Sequence, residues 1–343
     1  VTGSLPRFGW GIIGTGDMAA TMACVLAAHP QAELVAVASR SQARAIAFAA
    51  SHAIANAYAA LEPFLANPDM QICYIATPPD QHHAHCLQAL AAGKHVLCEK
   101  PLATTACDAG AIAAAADAAS RFCMEALWTH FLPAVTETER LLAAGAIGTP
   151  SHIAASFGLP TEPAALPACG AILDRGCYPI SLALRLFGTP DRAEAMVTRS
   201  VAGSAAAADI MLHFPAGRTA ALGCSLVDYR ANTMVISGSA GRLTLHEPIT
   251  HPTLLTLASA RAGPVGRSGA KTRVARLLPA LALLARHRRT RILRFRGNGY
   301  VHQVDEVHAC IADGRTQSGV VPLALSIATL LAVDGFEAPT RGS

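Results

Sequence analysis

The stretch GWGIIGTGDMA, residues 9–19, constrains the fold of this chain more than any other. An apolar run ends in Gly14-Thr15-Gly16-Asp17-Met18-Ala19, and an alanine-rich helical stretch, ATMACVLAAH, follows directly. A second apolar run comes at 34–38. Strand, GxGxxA, helix and strand in that order describe a phosphate cradle. Gly14 takes the tight turn, Gly16 lets the backbone approach a pyrophosphate, and Ala19 keeps the helix close to the strand. The unpaired N–H groups at the helix start attract the phosphates. The alternative is a plain tight turn, but the flanking elements favour a dinucleotide contacted by residues 14–18.

The rest of the first region repeats this alternation. Apolar runs at 10–13, 34–38, 72–76, 95–98 and 121–126 are separated by alanine-rich helical stretches. Strands alternating with helices predict a parallel sheet covered on both faces. The second region differs. Residues 170–187 become helical toward their end, and strand-like runs follow at 193–201, 209–214, 219–227 and 234–237, punctuated by PAG and GSAG turns. Consecutive strands joined by short turns predict an antiparallel sheet. Helices are expected over about 304–312, stopped by Gly314, and after Pro322. The expected fold is α/β: a parallel-sheet domain covered on both faces over 1–126, then an α+β domain with a mainly antiparallel sheet over 127–343.

Composition narrows the class. Of 343 residues, 52% are hydrophobic and 15% charged, which argues for a buried core and against disorder. A net charge of +4 is too small to imply nucleic acid. No run of about 18 strongly apolar residues suggests a membrane span. The start, VTGSLPRFGW, lacks the pattern of a signal peptide. Ten scattered cysteines without a CxxC read as reduced, so a cytoplasmic location is expected. The arginine-rich stretch 261–296 reads either as an anionic contact or as a solvated loop and helix, which Pro279 would interrupt.

Two further stretches bear on chemistry. The second strand ends in Ser39-Arg40-Ser41, where an acidic residue would bind the ribose hydroxyls of NAD. A guanidinium there pairs with a 2′-phosphate instead, so NADP is expected, with NAD remaining possible; the plain alternative is a solvated Arg40. The stretch CEKPLA, residues 98–103, closes the fourth main apolar run. Ligands of such sheets sit beyond the carboxyl ends of the strands, so Glu99 and Lys100 emerge beside the cofactor. Pro101 disfavours the helical region for Lys100 and sets its direction. An ammonium there stabilises negative charge developing on a substrate oxygen. Thr77 and Pro78, at the end of the 72–76 run, read as cofactor-loop residues or as simple strand termination. His82 and Cys86 have helical metal-ligand spacing, but no metal is expected.

The stretch ICYIATPPDQHHAHCLQALAAGKHVLCEKPLA resembles the signature region of the Gfo/Idh/MocA family of nicotinamide-dependent oxidoreductases. The glycine loop, GAIGTPSHIAASFG and GNGYVHQVDEVHACIADG extend the resemblance over most of the chain. MEALWTHFLPA and GAILDRGCYPISLALRLFG are most similar to the branch of dimeric dihydrodiol dehydrogenases and NADP-dependent D-xylose dehydrogenases. The resemblance implies an NAD(P)-binding Rossmann domain over 1–126 and a substrate-binding and oligomerisation domain with an open, mainly antiparallel sheet over 127–343. It also implies catalytic roles for Lys100 and Tyr178, places Asp174 in the active site, and puts Trp128 on the substrate pocket. Asp174 and Tyr178 are four residues apart, so a helical turn puts them on one face. His130 stands where many relatives have arginine, which leaves its contact open. Arg175 adds a charge where an apolar residue is expected. Phe157 is a pocket candidate that shares a strand face with Ile153 and Ala155.

These residues together imply hydride transfer between NADP and a hydroxyl or carbonyl of a small sugar, polyol or trans-dihydrodiol. Tyr178 would take the hydroxyl proton, Lys100 would favour the deprotonated phenol and the alkoxide-like transition state, and Asp174 would orient substrate or lysine. Two alternatives remain: a reductase of an oxidised sugar, inositol or nucleotide sugar, and a dinucleotide-sensing regulator without chemistry. The family commonly pairs through the open face of its second sheet, so a homodimer or homotetramer is expected.

Overall fold

The computed structural model describes residues 7–162, 166–259 and 288–336. Contacts divide the chain into two compact units, residues 1–131 with 296–337, and 132–295 with 338–343.

In the first unit the strands form one parallel sheet. These are β1 (Phe8–Ile13), β2 (Ala32–Ala38), β3 (Asn56–Tyr58), β4 (Ile72–Ile75), β5 (His95–Cys98) and β6 (Cys123–Glu125). Their spatial order is β3-β2-β1-β4-β5-β6. Strand order therefore reverses between β1 and β4, the switch point at which such sheets bind ligands. All six residues of β1 are buried, because helices cover both faces. The helices are α1 (Asp17–Ala28), α2 (Gln42–Ser51), α3 (Leu61–Leu65), α4 (His82–Ala91) and α5 (Ala106–Ala119).

The C-terminal helices correct the expected boundary between 126 and 127. Val301–Ala312 and Leu323–Leu331 occur as foreseen, but residues 296–337 belong to the first unit. We number these helices α8 and α9. Val304, Val307, Cys310 and Val321 share one core with Trp10, Met22 and Tyr74. The Trp10 indole N–H donates to His308 Nε2 at 3.0 Å, and the Phe8 ring stacks on His308 at 4.6 Å. His29 pairs with Asp305 at 3.1 Å, and Arg296 holds the same carboxylate. An apolar helical face shows that a helix is half-buried, but not which sheet it covers.

In the second unit the sheet order is β14-β13-β12-β11-β7-β10-β9-β8. The strands are β7 (Pro150–Gly158), β8 (Arg192–Arg199), β9 (Ala205–Phe214), β10 (Arg218–Ser225), β11 (Met234–Gly238), β12 (Gly241–Leu245), β13 (Leu254–Ser259) and β14 (Arg288–Ile292). Only the β7–β10 pairing is parallel among the described strands. Helix α6 (Pro133–Ala143) lies against β12 and β13. One face of the sheet is covered by residues 172–187, which pack on β7 and β10. Ile153, Ala155, Phe157, Leu222 and Cys224 on that face are buried. The opposite face forms an open groove of about 630 Å³, with Met196 81% exposed.

Of the arginine-rich stretch, 261–287 lies outside the described residues. The described remainder corrects the loop-and-helix expectation, since 288–292 is a strand pairing with β13. All five of its residues are exposed, and its arginines suit a solvated sheet edge. Among the described residues no helix is long and apolar enough to cross a membrane.

Candidate active site

In the first unit, every residue predicted to hold a dinucleotide follows the carboxyl end of one of four strands, β1 and β4 at the switch point and their outer neighbours β2 and β5. After β1, Gly14 has φ +116°, and a Cβ there would stand 2.4 Å from the Ala76 carbonyl oxygen. Only glycine fits that turn. Gly16 begins α1 without a side-chain cap, and nothing lies within 4 Å of where its Cβ would be. The result is an open cradle at a helix N-terminus, shaped for a pyrophosphate. Thr15 and Met18 are half-buried, Asp17 is exposed, and Ala19 is in the core. After β2, Ser39 bonds through its N–H to the Tyr58 carbonyl, and Ser41 caps α2 by accepting the Arg44 N–H. The exposed Arg40 stands between them, and its charge helps to lower the pKa of His85. Thr77 and Pro78 follow β4. The Thr77 hydroxyl meets His85 Nδ1 at 3.0 Å, which brings α4 onto the same loop.

His82 is 1% exposed and faces two carbonyl oxygens, those of Pro101 and Thr77, each at 2.8 Å. A neutral ring donates to one of them, an imidazolium to both. Burial, the largest influence, pushes its pKa down, while the two carbonyls oppose that shift. Both ring nitrogens of His82 face backbone carbonyl oxygens of Pro101 and Thr77. Among the described residues no group of three or more His, Cys, Asp or Glu side chains could hold one.

The turn after β5 carries Lys100, the lysine that the sequence predicts to be catalytic. Lys100 is half-buried, and the Lys100–Pro101 bond is cis. The buried Glu99 accepts the Tyr74 hydroxyl at 2.5 Å and the Lys100 N–H at 3.2 Å. Burial and the Glu99 charge push the Tyr74 phenol well up, so it stays a donor. Trp128 and His130 lie in the short 3-10 segment Trp128–Phe131, both buried. Trp128 stacks on Tyr300 at 4.2 Å and 20°. Burial and Glu99 push the Tyr300 phenol up to about 12, against the pull of Lys100. Tyr300 and Tyr74 thus lie near Glu99, the residue before the lysine, and the sequence reading missed both. Tyr300 sits in GNGYVHQ, more than 170 residues from its neighbours in space, so no local pattern could reveal it.

In the second unit, Asp174, Arg175, Tyr178 and Phe157 form one cluster. Asp174 lies in a π turn, Ile172–Gly176, rather than the α turn assumed from spacing. Its i→i+5 bonding widens the turn, a feature frequent at functional sites. Gly176 allows that turn to lie on β10, since a Cβ there would stand 3.3 Å from Cys224 Sγ. Helix α7 (Cys177–Phe187) continues directly from it. Tyr178 is buried, and its ring meets Phe157 edge-on at 5.6 Å and 84°. The unexpected Arg175 pairs with Asp174 at 3.2 Å and lies over the Phe157 ring at 5.1 Å. Its charge is thereby absorbed by a carboxylate and a π face.

Residues 8–127 match the family model described as an oxidoreductase family with an NAD-binding Rossmann fold, and residues 135–244 match the GFO/IDH/MocA C-terminal domain. A trans-1,2-dihydrobenzene-1,2-diol dehydrogenase from Oryctolagus cuniculus is 33% identical over 324 residues, covering 92% of this chain and 93% of that protein. The enzyme of the same name from Sus scrofa is 34% identical over 257 residues, covering 72% and 77%. The fold is similar to that of a 3-ketoreductase from Actinomadura kijaniata, solved with TDP-benzene and NADP, with a TM-score of 0.79 at 24% identity over 96% of each chain. It is also similar to that of an aldose-aldose oxidoreductase from Caulobacter crescentus complexed with glycerol, with a TM-score of 0.80 at 23% identity over 96% of each chain. The two matched domains, and sequence identity carried across nine-tenths of a dehydrogenase, show that this chain belongs to the Gfo/Idh/MocA family of nicotinamide-dependent oxidoreductases.

Proposed function

We propose that the protein is an NADP-dependent dehydrogenase that oxidises a CH–OH group of a trans-dihydrodiol, sugar or polyol. The observation that carries the reading is Lys100, whose N–H is held by the buried Glu99 carboxylate at the carboxyl end of β5, the outer neighbour of β4 at the strand-order switch. The dihydrodiol dehydrogenases that cover the chain end to end favour a vicinal diol or a ring of similar size.

The glycine loop, residues 14–18, would hold the pyrophosphate, Arg40 the 2′-phosphate, with Ser39, Thr77, Pro78 and Glu99 beside them. A bound nicotinamide supplies the hydride acceptor. Tyr178 takes the proton from the substrate hydroxyl. The Lys100 ammonium stabilises the negative charge that develops on the substrate oxygen. Asp174 orients a substrate hydroxyl, and its ion pair with Arg175 fixes the carboxylate. Phe157 presses on Tyr178 and restricts its ring. Trp128, backed by Tyr300, offers an aromatic wall, with His130 behind it as a specificity residue. The same groups run in reverse reduce a carbonyl, so both directions belong in the assay.

The open face of the second sheet, with Met196 and Met211 exposed, supports pairing into a homodimer. Sedimentation of wild type against Met196→Glu tests it, and an unchanged monomer in both would overturn it.

The decisive experiment is a panel of trans-dihydrodiols, sugars, inositols and simple polyols with NADP and with NAD, followed by nicotinamide absorbance. Turnover with NADP on one class supports the reading. Nucleotide binding without turnover on any class, in either direction, would support a sensing regulator instead.

A further inference from the structure

The turn that carries Lys100 is gripped from both sides by buried titratable side chains that take no part in the proposed chemistry. From α4, His82 reaches the Pro101 carbonyl at 2.8 Å. From the edge strand β6, Glu125 reaches the next residue: its Oε1 accepts the Leu102 N–H at 3.0 Å. Glu125 is 4% exposed and lies opposite Cys98, the last residue of β5. One residue on, the Ala126 N–H donates to the Cys98 carbonyl at 2.7 Å. Strand β6 therefore holds the end of β5 by its backbone and the turn beyond it by one carboxyl.

A carboxyl in this place is costly, because burial opposes its ionisation. An apolar side chain would remove that cost but leave the Leu102 N–H unpaired. The charges acting on Glu125 are Glu99 and Lys100, with the Cys98 thiol beside it. From α9 the Ser326 hydroxyl faces it without reaching hydrogen-bond geometry. Burial, the largest influence, pushes Glu125 up to about 7, and Glu99 adds to the rise. The Ser326 hydroxyl, the Leu102 N–H and the Lys100 charge oppose it.

We propose that Glu125 is a positioning residue for Lys100, whose carboxyl straps the Leu102 amide and thereby fixes the turn on which the lysine stands. The inference rests on the reading of Lys100 as catalytic. An ionised Glu125 accepts the Leu102 N–H more strongly than a protonated one and adds a negative charge near the ammonium. Turnover therefore gains an acid limb near neutrality that belongs to a residue remote from the reacting atoms.

The test uses full-length wild type, Glu125→Gln and Glu125→Leu. Gln retains an acceptor but cannot titrate; Leu removes the acceptor. With 15N-leucine labelling, the Leu102 amide resonance of wild type should titrate around pH 7, and that of Glu125→Gln should stay flat. The neutral acid limb of kcat should vanish in Glu125→Gln. Glu125→Leu should lower kcat about 10–100-fold with NADPH affinity unchanged, since a small misplacement of a reacting group costs that much. A Leu102 amide that does not titrate in wild type, or titrates equally in Glu125→Gln, overturns the strap. So does a kcat in Glu125→Leu equal to wild type. A wild type inactive on every substrate but with a titrating Leu102 amide would sink the functional reading and uphold the strap.

Discussion

Two clusters of buried titratable side chains lie in the first unit. One gathers Tyr74, His82, Glu99 and Glu125 around the turn after β5. The other gathers the buried His29 and His308 around Trp10 and Phe8, at the start of β1, with the half-exposed Asp305 at its edge. Both contain strongly shifted groups, so shifted pKa values alone do not identify an active site. Position separates them. The first surrounds an irregular turn at the carboxyl ends of the strands, where such sheets bind ligands. The second joins a regular strand to a regular helix, and its Trp10–His308 bond and His29–Asp305 pair hold α8.

The sharpest way to break that contrast is to remove one group from each cluster and measure turnover. Lys100→Ala should lower kcat about 10²–10⁴-fold, the usual cost of losing a group that acts on the reacting atoms. NADPH binding, followed by fluorescence, should persist. His308→Gln, in the second cluster, should leave kcat within about twofold of wild type. Equal losses in the two variants would erase the distinction.

A second test concerns the nucleotide alone. Arg40→Ala should weaken NADP binding by about 10–100-fold relative to NAD, since a hydrogen bond to a charged group contributes about 1.5–3 kcal/mol. Titration calorimetry with both nucleotides reads the ratio. An unchanged ratio would return Arg40 to a merely solvated side chain.

The clusters also differ in the sign of their pH dependence. Burial, with His29 adding and Asp305 opposing, lowers His308 to about 4 from an ordinary 6.5. The unfolded chain then binds a proton that the folded chain refuses, so stability is lost as pH falls from about 6.5 to 4. Glu125 is raised from 4.5 to about 7, so its favourable contribution is present below 4.5 and lost as pH rises to about 7. Each shift corresponds to an effect of about 1–3 kcal/mol. Denaturant unfolding across pH should show a flatter acid side in His308→Gln. It should show Glu125→Gln more stable than wild type at pH 8, with the gap closing by pH 5. Slopes of the opposite sign would contradict the burial argument.

These differences also show what could be read from the residues. The glycine loop, the parallel alternation and CEKPLA depend on local spacing, and the structure has the loop after β1, a six-stranded parallel sheet, and CEKPLA at the carboxyl end of β5. Three features did not depend on local spacing. The assignment of α8 and α9 to the first unit is fixed by Trp10 meeting His308 across almost the whole chain. The π turn at Asp174 packs on β10, with Gly176 close against Cys224, a contact between distant segments. Strands β12 to β14 escaped notice because they are short and β14 is largely arginine, a residue type with no preference for strands. Glu125 and Tyr300 became visible only once the turn after β5 had a place in space.

The central claim is hydride transfer from a carbinol carbon with Lys100 beside it. Incubating the protein with NADP and a substrate deuterated at that carbon, then weighing the recovered nucleotide, tests it most directly. The account predicts one deuterium in the NADPH from wild type, and labelled NADPH formed about 10²–10⁴-fold more slowly by Lys100→Ala at equal nucleotide affinity. Unlabelled nucleotide from a wild type that binds both NADP and the diol or sugar would contradict it.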